Sequence, residues 1–259
     1  MSERQVIVLK FGSSVLSSES DLPAVVNEIY QWWLRGNRIV AVVSAFGNTT
    51  DELTQRAWSV CNEPEPSLLA ALLATGEAAS SALLGLALQH AGIPATVLNE
   101  ERAGLTTVGP VLDAELVGLC QDRLLLELQH GVVVLPGFVG RNGGVTTLLG
   151  RGGSDLTALF VSHQLNGHCR LVKDVNGLYT SDPNSRAVNS ARRFVEVSYE
   201  TARQVGGAVV QIKAIDFAEE HQLTFTVSSV GSDLATTVGP CRDWIETGIE
   251  TVEEEECAA

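Results

Sequence analysis

Positive charge is scarce in this chain: 17 Lys and Arg stand against 31 Asp and Glu, a formal net charge of −14. That balance argues against nucleic acid or an anionic membrane as the main partner. Any phosphorylated ligand needs a local positive focus inside an acidic molecule. Aromatic residues make up 5% of the sequence and methionine occurs once. The five cysteines, Cys61, Cys120, Cys169, Cys241 and Cys257, form no C-x-x-C pair, so neither a disulfide framework nor a zinc site is expected. No stretch reaches 18 uncharged apolar residues, which leaves no expectation of a membrane span. Met1-Ser2-Glu3-Arg4 runs straight into a strand, so no signal peptide is expected and a cytoplasmic protein follows. A Walker A loop is missing, as is a dinucleotide G-x-G-x-x-G at the first strand.

What is present is an α/β pattern rich in Gly, Ala, Leu and Val. Val6-Ile7-Val8-Leu9, Arg38 to Ser44 and Val132 to Pro136 read as continuous buried strands of a parallel sheet. Ala95 to Leu98, Cys169 to Lys173 and Leu223 to Val227 complete that series, with Thr106-Thr107-Val108 as a short edge strand or hairpin arm. Helices are expected at 22–35, 50–61 and 67–91, the last interrupted at Thr75-Gly76-Glu77. Further helices are expected at 113–130, 154–166, 198–205 and 207–221. Trp32 and Trp33 read as core or subunit packing. Such a sheet, covered by helices on both faces, binds ligands over the carboxyl ends of its strands. Ser44, Phe138, Arg151 and Asp174 all fall just beyond such ends. Residues 241–259, with Glu253-Glu254-Glu255-Glu256, read as a solvated acidic tail.

Two glycine loops carry the chemistry. In Gly150-Arg151-Gly152-Gly153-Ser154-Asp155, a strand meets a helix start, where backbone N–H groups attract anions. Arg151 can grip a carboxylate or phosphate with two parallel hydrogen bonds, and Asp155 can orient a lysine or hold a metal. The other loop, Lys10-Phe11-Gly12-Ser13-Ser14, places an ammonium over a phosphate-binding turn. A third cluster, Lys173-Asp174-Val175-Asn176-Gly177-Leu178-Tyr179-Thr180-Ser181-Asp182-Pro183, reads as a turn-rich hairpin beside the ligand rim, with Tyr179 suited to a base or ribose.

Together with Val42-Val43-Ser44-Ala45, Thr75-Gly76-Glu77 and Gly137-Phe138-Val139-Gly140, these segments follow the order seen in aspartate kinases. From about residue 5 to 239 the chain resembles their catalytic domain, within the amino acid kinase superfamily. The resemblance implies a three-layer αβα sandwich around a mainly parallel sheet, spanning 1–240. It places the substrate side at about 1–150 and the nucleotide side at about 151–240, without the family's ACT regulatory domains. It further implies ATP and Mg2+, a homodimer, and formation of 4-phospho-aspartate for lysine, threonine and methionine synthesis. No feedback inhibition by lysine or threonine is expected of such a chain unless a partner supplies it.

By resemblance, Lys10 contacts the transferring phosphate, Gly12 and Ser13 belong to the phosphate loop with Gly152 and Gly153, and Asp155 organises the lysine. Ser44, Thr50, Glu77, Phe138, Arg151 and Ser154 correspond to substrate-side residues, Glu77 suiting the substrate ammonium. Asp174, Tyr179 and Asp182 correspond to nucleotide-side residues, and magnesium is held mostly by phosphates rather than by the protein.

The departures are specific. The phosphate loop Lys-Phe-Gly-Ser-Ser-Val is one residue shorter than the family pattern and closer to that of glutamate 5-kinase. Lys173 replaces a usual threonine, Val209 a usual lysine after Gly207-Ala208, and Asn184 a usual arginine. Lys173, Arg186 or Lys213 are the candidates to restore that charge. Phosphorylation of glutamate or a related acidic amino acid, and ligand binding with weak catalysis, stand as alternatives.

Overall fold

The computed structural model describes residues 4–181, 191–207 and 209–246. Asp182, Asn184, Arg186, Ala208 and the tail at 247–259 lie outside the described residues. The first half of the chain builds β1 (Val6–Phe11), α1 (Leu22–Leu34), β2 (Arg38–Val43), α2 (Thr49–Val60), α3 (Pro66–His90) and β3 (Ala95–Val97). A short α4 (Glu100–Ala103) leads to β4 (Thr106–Val108), β5 (Glu115–Gly118), α5 (Gln121–Glu127), β6 (Val132–Pro136), β7 (Val139–Asn142) and β8 (Val145–Leu148). The second half holds α6 (Gly153–Gln164), β9 (His168–Lys173), β10 (Phe194–Val197), α7 (Tyr199–Gly206) and α8 (Ile212–Glu220). It closes with β11 (Phe225–Ser229), β12 (Ala235–Val238) and β13 (Trp244–Ile245).

Nine strands form the main sheet in the order β13-β10-β12-β11-β9-β1-β2-β6-β3, and the six from β11 to the edge strand β3 are parallel. Strand alternation divides β1 between two cores. Val6 and Val8 face a cluster with Leu159, Leu171 and Ile215, while Ile7, Leu9 and Phe11 face one with Val25, Ile29, Leu84 and Leu88. The fold is therefore α/β with helices over both faces of a largely parallel sheet, as the sequence implies. Each large apolar side chain so buried contributes about 1.5–3 kcal/mol.

Five expectations need correction. The helix expected over 113–130 is split into β5 and α5, because Glu115 to Gly118 pairs antiparallel with β4. That pairing belongs to a four-stranded second sheet, β5-β4-β7-β8. α3 runs unbroken through Thr75-Gly76-Glu77. Gly76 there is a close-packing site: an added Cβ would lie 3.1 Å from that of Ala45. The described part of the 174–183 hairpin does not pair locally, since Tyr179 bridges to Arg193. α8 begins at Ile212 rather than near 207, and β11 starts two residues later than expected, at Phe225.

Among the described residues, α3 alone is long and apolar enough to cross a membrane. It packs against β3, β6 and β8, burying Ala70, Leu73, Leu84 and Leu88. Trp32 joins the packing at α1, its indole N–H donating to Glu28 at 3.0 Å with the Arg35 and Arg170 guanidinium groups near its ring.

Candidate active site

The carboxyl ends of β1, β2, β6 and β9 open onto one cleft of about 530 Å3. Lys10, Gly12, Ser13, Ser44, Thr50 and Phe138 line it from the first half of the chain. Arg151, Gly152, Gly153, Ser154, Asp155, Lys173 and Asp174 line it from the second. The two glycine loops thus meet, and the ammonium of Lys10 and the guanidinium of Arg151 belong to one cleft. Arg151 is exposed at the surface, while Lys10 is only 6% exposed.

Local sequence explains these positions. As an even-numbered residue of β1, Lys10 emerges on the face covered by α6, which packs on β1 and β9. Its ammonium lies over Gly12, where an added Cβ would come within 2.6 Å of Nζ. A side chain there would displace the ammonium. The loop then turns back, with Leu16 N–H donating to the Gly12 carbonyl at 2.8 Å. On the opposite wall, Gly152 caps α6 at φ 83°, a conformation that disfavours residues with a Cβ. The first-turn N–H groups of α6 lack acceptors within the helix.

Asp155 is the electrostatic hinge of the cleft. Its Oδ1 lies 2.8 Å from the Lys10 ammonium, and Lys173 donates to Oδ1 and Oδ2 at 3.0 and 2.8 Å. Burial, the largest single influence, pushes the Asp155 carboxyl up, but the two lysines outweigh it and hold it at about 2. Burial drives Lys173 the other way, down to about 8, with Lys10 adding repulsion and Asp155 opposing. Ser44 and Ser154 join the two walls, Ser44 Oγ donating to Ser154 Oγ at 2.9 Å. The hydroxyl of Thr157 on α6 donates to the carbonyl of Gly137, tying the loop after β6 to the same helix.

Three residues chosen from the sequence stand off the cleft. Glu77 is 2% exposed and lies behind the wall, where Oε1 accepts from the Ala45 N–H and Oε2 from the Gly137 N–H, each at 3.0 Å. It therefore braces the Ser44 and Phe138 loops instead of facing a ligand directly. Burial raises its carboxyl to about 7, against the pull of the amides and Lys10. Tyr179 is half-buried and does not line the cleft. Lys213 is held by Asp113 Oδ1 and the Leu149 carbonyl, both at 2.9 Å, so it steadies the base of the second glycine loop. Ser14 and Gly150, placed in the two glycine loops by the sequence but given no role there, also line the cleft, as does Gln211, which the sequence did not single out. Ser14 had a signal in the phosphate loop; Gln211 had none.

Glu77→Gln should cost about 1–3 kcal/mol, because one buried N–H loses its acceptor. The sign with pH follows from the raised carboxyl. Between pH 4.5 and about 7 the native state keeps a proton that the unfolded chain has released. That contribution is complete at the acid end and is lost as pH rises through about 7. Denaturant melts across this window should show wild type losing its advantage over the variant, and a constant difference would contradict the assignment.

Fold and cleft together define an α/β protein with a lysine- and glycine-lined cleft over the carboxyl ends of its central strands. The chain belongs to the amino acid kinase family, whose sequence pattern matches residues 5–227. It is 36% identical over 241 residues to the aspartokinase of Geobacillus stearothermophilus, covering 90% of this chain and 58% of that protein. The aspartate kinase from Synechocystis superposes with a TM-score of 0.77 at 32% identity, over 92% of this chain and 41% of that one. Aspartokinase III of E. coli, solved with aspartate and ADP, gives the same TM-score of 0.77 at 22% identity, over 91% of this chain and 65% of that one. That last likeness bears on the fold alone. The chain spans about three-fifths of the length of the curated relatives it matches, 58% and 61% for two of them.

Proposed function

We propose that the chain uses ATP to phosphorylate the side-chain carboxylate of L-aspartate, giving 4-phospho-L-aspartate and ADP. The observation that carries this is the Lys10 ammonium, braced by Asp155 at 2.8 Å over the glycine of one phosphate-type loop and across the cleft from the other. The names of the relatives support aspartate as acceptor, and the site chemistry fits.

A carboxylate oxygen of the substrate forms the new bond to the γ-phosphorus, and the bond from that phosphorus to the β,γ-bridging oxygen breaks. ADP leaves with the electron pair. The acceptor, with an ordinary carboxyl value of about 3.9, is already ionised at neutral pH, so no general base is needed. The residues supply position and charge. Lys10 and the N–H groups of the glycine loops stabilise charge on the transferring group. Arg151 fixes a substrate carboxylate, Ser44 and Ser154 offer hydroxyls, and Glu77 holds the acceptor wall from behind. Asp174, exposed on the rim, belongs to the nucleotide side.

No three His, Cys, Asp or Glu side chains cluster as a metal cage among the described residues. Magnesium fits this cleft as an ion carried by nucleotide phosphates, with Asp174 an exposed acidic side chain on the rim. When bound, it neutralises phosphate charge. A cytosolic setting and a homodimer belong to the same proposal, resting on the resemblance.

A second acceptor, glutamate, is favoured by the shortened phosphate loop. Hydroxamate trapping of the acyl phosphate across aspartate, glutamate and their homologues separates the two. Turnover of aspartate alone is expected; product from glutamate alone would overturn the assignment.

A further inference from the structure

We infer that Lys173 is a second catalytic ammonium, which supplies from the end of β9 the positive charge missing where Val209 lines the cleft. The inference rests on the phosphoryl-transfer reading of the site and assigns a residue whose role that reading leaves open.

The sheet register puts Lys173 where it is. β1 and β9 are parallel neighbours with Lys10 opposite Leu171. Side chains alternate along a strand, so Lys173, two residues beyond Leu171, emerges on the same face as Lys10 and one step nearer the carboxyl edge. α6 covers that face, and its first turn sets Asp155 between the two lysines.

Charge counting then separates a structural role from a catalytic one. Lys10, Asp155 and Lys173 are 6%, 2% and 7% exposed. One ammonium would balance the carboxylate. The second leaves this buried group with an excess positive charge, and an ammonium taken from water costs several kcal/mol unless it is compensated. A structural pair gains nothing from that excess, whereas a polyanion entering the cleft does. Lys173 carries three donors, and its contacts to the two oxygens of Asp155 leave at least one for a ligand.

The other candidates for this charge are occupied or distant. Lys213 is bound to Asp113 and the Leu149 carbonyl and does not line the cleft. Arg151 is exposed on the opposite wall. Val209 and Gln211 border the same space and carry no charge. Among the described residues, Lys10 and Lys173 are the two ammonium groups that line the cleft.

The groups around Lys173 also set a pH signature. Lys10 faces it from β1, Asp155 from α6, Asp174 follows it in the chain, and β11 places Ser229 opposite in register. Glu77, behind the cleft wall, feels Lys10, which pulls its carboxyl down against burial. Burial and Lys10 hold the Lys173 ammonium down to about 8, so its charge is present below that pH and lost as pH rises through it. Because kcat/KM reports the free enzyme, kcat/KM for ATP should fall over the same range.

The test compares the wild-type chain with Lys173→Met, Lys173→Arg and the double variant Lys173→Met with Val209→Lys. Initial rates give kcat and each KM, calorimetry gives Mg-ATP affinity, and circular dichroism reports folding. Lys173→Met should lower kcat/KM for ATP on the order of 10²-fold, the scale of one preorganised donor, with the KM for the acceptor unchanged. The double variant should recover a large part of that loss. Lys173→Arg should move the alkaline limb upward, since guanidinium stays charged; this arm decides if Lys173→Met does not fold. Wild-type kcat/KM for ATP in Lys173→Met, or an alkaline limb unmoved in Lys173→Arg, would overturn the inference. Should the wild-type chain phosphorylate no acidic amino acid, the phosphoryl-transfer reading fails separately. Mg-ATP affinity of Lys173→Met then decides: undiminished binding refutes the Lys173 assignment and weakened binding supports its contact with phosphate.

Discussion

Lys10→Met should reduce kcat by about 10²–10³-fold, equivalent to about 3–4 kcal/mol of transition-state stabilisation. The size follows from position. The ammonium is buried, fixed at 2.8 Å to Asp155 and seated over Gly12, so it reaches the transferring group without reorganising. The fold should survive, because Asp155 keeps Lys173 at 2.8 Å as its partner. ADP release by a coupled assay measures the first effect, and a thermal melt the second. A Lys10→Met protein with near wild-type turnover would remove the basis for phosphoryl transfer at this cleft. A protein that loses activity only because it unfolds would show a lowered melting temperature instead.

Asp155→Asn should be costly in both respects. The substitution preserves shape but leaves two buried ammonium groups facing each other without a counter-charge. Breaking a buried ion pair at one partner typically costs about 3–5 kcal/mol, which is roughly a 10 °C fall in melting temperature for a chain of this size. Activity should fall with it, since Lys10 loses the group that aims it. The pH dependence has the sign of a depressed carboxyl: Asp155 is held at about 2 against an ordinary 3.8. Its contribution is present above pH 3.8 and lost as pH falls towards 2. The stability gap between wild type and variant should therefore close in acid. A gap that persists unchanged below pH 3 would mean that the lysines are not what holds Asp155 ionised.

The two glycine loops and the central strands were legible because each carries its own local signal. Val6 to Leu9, Ile39 to Val43 and Val132 to Leu135 are continuous apolar runs, the mark of strands buried on both faces. Lys10 and Asp155 announced themselves by the glycines beside them. Other features depend on tertiary pairing and left no local trace. The contact of Lys173 with Asp155 requires the register of β9 against β1. Lys213 meets Asp113, 100 residues away in sequence. Glu77 was expected beside the substrate ammonium by resemblance alone, and its oxygens turn to the amides of Ala45 and Gly137. β5 was read as helix because four residues with mixed polarity satisfy either period, and only the β4 edge decides between them.

β1 lies between β2 and β9 with all six of its residues buried. Its backbone amides belong to the most protected part of the molecule and exchange hydrogen only when the whole cooperative unit opens. Lys10 rides on that unit, whereas Arg151 and Ser13 ride on exposed turns. Mild heating or denaturant that weakens ligand affinity ahead of global melting must therefore act through the rims, with the central ammonium still in place.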